Sequence, residues 1–288
     1  MIWHRVRSVV WKLMKSTVAE WRADKVPRLG AALAFYSILS LAPLLLLMLA
    51  AAGALFGAEA ARGQITAQLH ELLGTGGAAA IEGIIKASAA HKSEGIIATL
   101  VGLATLLIGA SGVFGQLQDA LNTIWHVKPP PGRGIMNFIK NQLLAFVMVA
   151  GTGVLLIASL AISTALSAIA KYATDISPQF TILFSVINFF ISFAVIAALF
   201  AMIFKILPNI AITWRDVCVG AALTTELFII GKFLIGLYLS HSSVSSSYGA
   251  AGSVMVVLIW VYYSAQILLF GAEFTKVYAK MFGSHQSA

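Results

Sequence analysis

The fold of this chain is decided by two long apolar runs, VCVGAALTTELFIIGKFLIGLYL at residues 217–239 and SVMVVLIWVYYSAQILLFGAEF at residues 253–274. Each run exceeds the ~20 residues that a helix needs to cross ~30 Å of hydrocarbon. The polar residues 240–252 join the two runs. The pair therefore predicts two membrane-spanning helices with a short polar connection.

The composition of the whole chain indicates the same class of protein. Of its 288 residues, 59% are hydrophobic and 10% are charged, and the mean hydropathy is +0.90. A soluble domain carries about 25% charged residues, so these few charges could not cover a soluble surface. The apolar runs are continuous and do not alternate in polarity, which argues against a β-barrel. The sequence predicts a helical integral membrane protein.

The expected fold class is all-α: a polytopic membrane protein with six transmembrane helices, an amphipathic N-terminal helix and an outer helical hairpin. Basic and apolar residues alternate at helical spacing in residues 1–28, which form the amphipathic basic segment. Pro27 ends or redirects this segment. Residues 29–288 form a single six-helix transmembrane domain, with the mixed-polarity residues 57–94 as the outer hairpin. The spans are expected at about residues 30–56, 95–115, 142–169, 180–204, 217–239 and 253–274.

The basic residues set the expected orientation. With both termini cytoplasmic, most of the 19 Lys and Arg residues lie in cytoplasmic segments, as the positive-inside rule requires. The net charge of +8 is concentrated near the start among apolar residues and tryptophans, which suits the anionic inner leaflet and not nucleic acid. A plain topology signal without lipid recognition explains this segment equally well. The expected anionic-lipid contacts are Arg5, Arg7, Lys12, Lys15, Arg22, Lys128 and Arg133.

Ionisable residues inside the last two spans are the main candidate functional residues. They are Glu226 and Lys232 in the fifth span and Glu273 near the end of the sixth. A charge at bilayer depth costs at least ~2.5–3.5 kcal/mol, so each side chain should face a protein interior, a partner or water. Alternatively, Lys232 extends its stem to the outer interface, and Glu226 bonds locally to Ser or Thr. Gln266 could join Glu273 in one polar cluster, although packing or topology also explains Glu273.

Catalytic and metal-binding patterns do not occur in the sequence. The 11 acidic and six His residues are scattered, without an HExxH, DxD or GxSxG pattern. Phosphodiester cleavage usually needs clustered carboxylates or a His pair. The single cysteine, Cys218, excludes an internal disulfide. We therefore expect no enzyme, no metal and no cofactor, and we keep a ribonuclease only as a distant third hypothesis.

A set of short stretches, taken in order along the chain, resembles a known family. The stretches are Ala34-Phe35-Tyr36-Ser37, Ser40-Leu41-Ala42-Pro43, residues 116–125, Trp214-Arg215-Asp216-Val217, Gly220-Ala221, Lys232, Leu237-Tyr238, Tyr248-Gly249-Ala250, Trp260-Val261-Tyr262-Tyr263 and Leu269-Phe270-Gly271-Ala272-Glu273. Each stretch alone is weak, but the ordered set covers about residues 28–276 and is specific. Together they resemble the YihY/BrkB family of bacterial inner-membrane proteins, once mislabelled ribonuclease BN.

The resemblance implies six transmembrane helices, a place in the bacterial cytoplasmic (inner) membrane and no settled activity. Members are linked to envelope lipid or lipopolysaccharide handling and to serum resistance. Three residues of these stretches, Tyr36, Pro43 and Tyr248, join the candidate substrate path. Pro43 would kink the first span, which lines a path in some proteins and serves packing in more of them.

We expect a transporter or flippase-like protein that moves an amphiphilic or polar envelope-related substrate past Glu226 and Lys232. A water-accessible cavity that reaches Glu226 would favour this hypothesis. The alternative is a non-transporting scaffold or regulatory membrane protein for envelope biogenesis, in which that carboxylate would be sealed and hydrogen-bonded. The expected partners are membrane lipids and a lipid-like or small polar substrate, and a homo-oligomer is compatible with both hypotheses.

Overall fold

The computed structural model describes residues 2–40, 112–127, 179–241 and 252–283, together with scattered helical positions between 143 and 169. The outer hairpin predicted at residues 57–94 lies outside the described residues, as does nearly all of the second span predicted at 95–115. Every regular element among the described residues is an α-helix, as the predicted all-α class requires. The helices are α1 (Ile2–Ala23), α2 (Val26–Ser40), α3 (residues 112–124), α4 (Gln179–Ile206), α5 (Trp214–His241) and α6 (Gly252–Phe282).

Three helices in the described part of the chain are long and apolar enough to cross a membrane. They are Ile182–Ile206 in α4, Trp214–Tyr238 in α5 and Met255–Phe282 in α6. These helices correspond to the predicted fourth, fifth and sixth spans. The apolar helix α2 is shorter and covers the start of the predicted first span. The total of six spans stays a prediction.

The turn between α1 and α2 is made by Asp24 and Lys25. The Asp24 N–H donates to the carbonyl of Glu20 at 2.8 Å. Lys25 then adopts a φ of 52°, the left-handed conformation in which helices commonly end. Pro27 stands in the first turn of α2, where its missing N–H leaves no hydrogen bond unmade. The chain is therefore redirected at Asp24 and Lys25, and the next helix begins at Val26, just before the proline.

The chain divides into two compact units. The first comprises Met1–Val18, Leu121–Glu226 and Gly271–Ala288, and the second comprises Ala19–Ala120 and Leu227–Phe270. In the first unit, Leu13 of α1 is buried in a cluster with two residues of α6. The buried cluster is Leu13, Phe274 and Val277, with Met14, Val219, Leu223, Tyr278 and Met281 packed against it. One face of α1 is thus packed against protein.

Helices α5 and α6 approach each other closely in the first unit, at two glycines. A Cβ atom added to Gly220 would lie 1.8 Å from Thr275 Oγ1, and one added to Gly271 would lie 1.9 Å from Thr224 Oγ1. Each threonine hydroxyl donates to the carbonyl four residues earlier in its own helix, at 2.6 Å for Thr224 and 2.7 Å for Thr275. The two contacts are reciprocal, because the two helices run antiparallel to each other. Small residues at such positions let membrane helices pack backbone against backbone.

The connection between α4 and α5 is fixed by side chains of the first unit. Lys205 Nζ donates to the carbonyl of Ile212 and lies 5.7 Å from the ring centroid of Trp214. An ammonium and an indole attract each other at this distance. The Asn209 N–H donates to Asn122 Oδ1 of α3 at 2.9 Å. The connection is therefore held both to its flanking helices and to α3.

In the second unit, α6 contacts α2 and α5. The side-chain amide of Gln266 lies directly over Gly30 of α2. Tyr263 and Ile267 lie over Gly231 of α5. The same helix thus packs closely on two neighbours along this part of its length.

Candidate functional site in the last two membrane helices

A buried ion pair lies near the end of α6. Lys276 Nζ is 2.8 Å from Glu273 Oε2, and both side chains are fully buried. Residues three apart lie on the same side of a helix, so the helix itself brings the two charges together. A charge in a low-dielectric interior is tolerated only when it is paired. Each residue therefore offsets the free-energy cost of burying the other.

Buried threonines also occur in the first unit, on both α5 and α6. Thr224, Thr225 and Thr275 are all buried. Each donates its hydroxyl hydrogen to the carbonyl four residues earlier, and the Thr225 bond to Ala221 measures 2.8 Å. Their hydrogens are therefore committed to the helix backbones. The arrangement is that of a closely packed contact between helices.

A second buried carboxylate, Asp216, lies in the first turn of α5. Thr213 Oγ1 donates to Asp216 Oδ2 at 2.8 Å and accepts the Asp216 N–H at 3.5 Å. Thr213 thus caps the first turn of α5, as in a capping box, except that the carboxylate accepts from the threonine hydroxyl and not from the Thr213 backbone N–H. The carboxylate also packs against Gly283, just after α6. Asp216 thus fixes where α5 begins.

Glu226 contrasts with these two buried carboxylates. It lies in the membrane-spanning part of α5 and is exposed. Within the described residues it forms no hydrogen bond and no ion pair. Lys232 is half-buried on the same helix, and six positions separate the two side chains by about 120° around the helix axis. The helix therefore does not neutralise Glu226 as it neutralises Glu273.

Gln266 of the second unit carries a side-chain amide that is buried inside the protein. Its Nε2 and Oε1 atoms are both buried and find no hydrogen-bond partner among the described residues. Leaving a buried polar group without a partner costs about 1–3 kcal/mol. The expected polar cluster with Glu273 stays a prediction, because Gln266 belongs to the second unit and Glu273 to the first.

The remaining path and lipid candidates whose side chains the structure describes are all exposed. Tyr36 is exposed, stacks edge-on with Phe35 at 5.9 Å between ring centroids and lies over Gly112. The described basic side chains of α1 that we predicted as lipid contacts are all exposed: Arg7, Lys12, Lys15 and Arg22. Arg5 lies on α1, but only its backbone is described. Pro43, Lys128, Arg133 and Tyr248 lie outside the described residues.

Hydropathy along the chain did not indicate that Lys276 is buried beside Glu273. The signal was nevertheless present, because Glu273 and Lys276 stand three positions apart in one helix. Asp216 was missed as well. A Thr-x-x-Asp spacing before an apolar run, at residues 213–216, is the pattern that would have indicated it.

Three long apolar helices among the described residues and a charged content of 10% are those of a helical membrane protein. It belongs to the virulence factor BrkB family, whose sequence model matches residues 17–288. The resemblance to the YihY/BrkB family is thereby confirmed. The family description names a virulence factor and does not describe an enzyme.

Several curated proteins are similar to the chain over most of its length. A UPF0761 membrane protein of Tolumonas auensis is 25% identical over 95% of this chain and 88% of its own length. A UPF0761 membrane protein of Pseudomonas aeruginosa is 26% identical over 86% of this chain but only 58% of its own length. One of Alteromonas mediterranea is 32% identical over 61% of this chain and 57% of its own length. No solved structure matches the chain.

Proposed function

We propose that this protein is a membrane transporter or flippase-like protein that moves an amphiphilic or polar envelope-related substrate. The observation that carries the proposal is the exposure of Glu226 within a membrane-spanning helix without a partner in the described residues. We further propose that it acts in the bacterial inner membrane with both termini cytoplasmic, and that it is not an enzyme.

The two glutamates of the last two spans support this proposal by their difference. A charge at bilayer depth costs at least ~2.5–3.5 kcal/mol. The chain offsets that cost for Glu273 with Lys276 at 2.8 Å. For Glu226 the described residues supply no such offset. An exposed carboxylate at this depth is stabilised by water, by a polar substrate or by a partner protein, and the first two place a polar path along α5.

Three further residues are proposed to line or edge the path. Lys232 carries the opposite charge and is half-buried on the same helix, so it suits an anionic head group. Gln266 offers an amide whose donors and acceptor are unused among the described residues. Tyr36 offers an exposed phenol.

The proposal is tested by reconstituting the full-length protein into lipid vesicles. We would measure transbilayer movement of fluorescent phospholipids and uptake of small polar solutes for the wild type, Glu226→Gln and Cys218→Ser. Cys218 is an exposed residue of the same helix and serves as the matched control. We expect Glu226→Gln to lose about tenfold or more in rate, since one hydrogen bond to a charged group contributes about 1.5–3 kcal/mol. Equal rates for Glu226→Gln and the wild type would refute a role for this carboxylate.

The alternative function is a non-transporting scaffold for envelope biogenesis. The reciprocal contacts of Gly220 with Thr275 and of Gly271 with Thr224 favour it, because they make the first unit a closely packed body. The sealed pair of Glu273 and Lys276 points the same way. Wild-type vesicles that move neither lipids nor solutes faster than protein-free vesicles would favour the scaffold.

A further inference from the structure

The corner between α1 and α2 carries a cleft that the transport proposal does not use. The cleft is open, measures about 310 Å³ and belongs to the second unit. We name it the corner cleft, and its lining residues are Trp21, Arg22, Lys25, Pro27 and Arg28. Three of these five residues are cationic, and one carries an indole.

The cations of the corner cleft are available to an external anion. Arg22, Lys25 and Arg28 are all exposed. None of them forms an ion pair within the described part of the chain, although Glu20 and Asp24 are close in sequence. Guanidinium groups bind phosphate oxygens through two parallel hydrogen bonds, and an ammonium binds them as a point charge. The cleft therefore suits a phosphate-bearing ligand.

The position of the corner cleft along the chain indicates where that phosphate comes from. The apolar helix α2 begins at Val26, directly inside the corner. A helix of this kind enters hydrocarbon, and the charged residues at its start then lie at headgroup level. Indole rings are enriched at this depth, because one part of the ring is apolar and the other is polar. Trp21 fits this position.

The outward face of α1 supports the same depth. The face opposite buried Leu13 is a stripe in which basic and apolar side chains alternate, and all of them are exposed. The stripe comprises Arg7, Trp11, Lys15, Val18 and Arg22. Trp11 is 71% exposed, which is unfavourable in water and favourable in the interfacial layer of a bilayer. Arg22 belongs both to this stripe and to the lining of the corner cleft.

We propose that the corner cleft binds the phosphate headgroup of an anionic phospholipid. The arginines and Lys25 hold the phosphate, and Trp21 contacts the glycerol and upper acyl region. The site is a fixed position for one lipid, in addition to the general attraction of a basic helix to an anionic surface. It does not depend on whether the protein transports anything.

The test uses the full-length protein in detergent micelles with equal amounts of phosphatidylglycerol and phosphatidylcholine of identical acyl chains. Native mass spectrometry counts the lipids retained by each protein. The triple variant Arg22→Gln, Lys25→Gln, Arg28→Gln removes the three positive charges of the cleft. Its matched control, Arg7→Gln, Lys12→Gln, Lys15→Gln, removes the same charge from exposed positions of α1 outside the cleft.

We expect the wild type to retain phosphatidylglycerol over phosphatidylcholine. The control should keep this preference and lose only the smaller part that comes from the diffuse attraction of α1 to anionic lipid. The cleft variant should lose about fivefold in affinity for each charge removed. Equal losses in both triple variants would overturn the proposal in favour of diffuse attraction. Displacement of the lipid by inorganic phosphate at constant ionic strength would assign the cleft to a soluble phosphate and overturn it too. If the triple variant unfolds, Arg28→Gln against Lys15→Gln gives the same comparison with one charge.

Discussion

Thr275 of α6 lies so close over Gly220 of α5 that a methyl group on Gly220 would occupy the space of its hydroxyl, 1.8 Å away. The mirror contact, Thr224 over Gly271, repeats this arrangement in the opposite direction. Both glycines stand in stretches that carry the family resemblance. Their role in this structure is the close approach of two membrane helices.

Gly220→Ala is expected to destabilise the protein. The added methyl group must displace Thr275, and overpacking of this kind typically costs about 1–3 kcal/mol. The matched control is Gly236→Ala on the same helix, where nothing lies within 4 Å of the added carbon. That variant should be neutral or more stable, because Ala exceeds Gly in helix propensity by about 1 kcal/mol. Thermal unfolding in detergent measures both, and equal unfolding temperatures would contradict the packing account.

Lys276→Met is expected to be among the most destabilising substitutions in α6. It removes the cation that lies 2.8 Å from the buried carboxylate of Glu273. Breaking a buried ion pair by removing one partner costs about 3–5 kcal/mol. Lys280→Met, one turn later and exposed, should change stability by less than about 0.5 kcal/mol. The double variant Glu273→Met, Lys276→Met should recover most of the loss. A double variant that is as unstable as Lys276→Met would show that the pair does more than neutralise charge.

Lys232→Met separates the two interpretations of this residue. If the ammonium edges the proposed path, Met should reduce transport in vesicles about as much as Glu226→Gln does, while Lys232→Arg keeps it. If the Lys232 side chain only extends its stem to the interface, the Lys232→Met variant should transport at the wild-type rate. Expression and membrane insertion, followed by the yield of folded protein, serve as the reference for all three variants.

Leu13→Ala is expected to loosen α1 from the first unit. Leu13 is buried against Phe274 and Val277, and such truncations cost about 2–5 kcal/mol. Hydrogen–deuterium exchange of the α1 amides should rise, with a smaller change elsewhere. Val10→Ala, at an exposed position of the same helix, is the control. Unchanged exchange in Leu13→Ala would mean that contacts other than this cluster hold α1.

The apolar helices were predictable because hydropathy depends on composition along the chain. The predicted span 217–239 lies within α5, and the predicted span 253–274 lies within α6. α6 continues to Phe282, eight residues past the end of the predicted run at residue 274. The charges of Glu273 and Lys276 end the apolar run in the sequence. They do not end the helix, because the two side chains neutralise each other on it.

The side-chain environments were not predictable in the same way. The helical period places Glu226 and Lys232 on different sides of α5, but the neighbours on each side come from distant parts of the chain. The amphipathic pattern of α1 predicted a helix in the interface. It did not show that one face, at Leu13, is covered by protein, because a lipid-facing and a protein-facing apolar stripe have the same period.

Lys205 donates a hydrogen bond to the carbonyl of Ile212, and its ammonium lies over the ring of Trp214. These two contacts fix the length of the link between α4 and α5. Epitope tags, fluorescent reporters and protease sites are usually placed in loops that tolerate extra residues. This link is a poor choice for them, since any insertion between residues 206 and 214 would separate the lysine from both its partners. Topology mapping of this region is better done with single-residue labels than with inserted sequences.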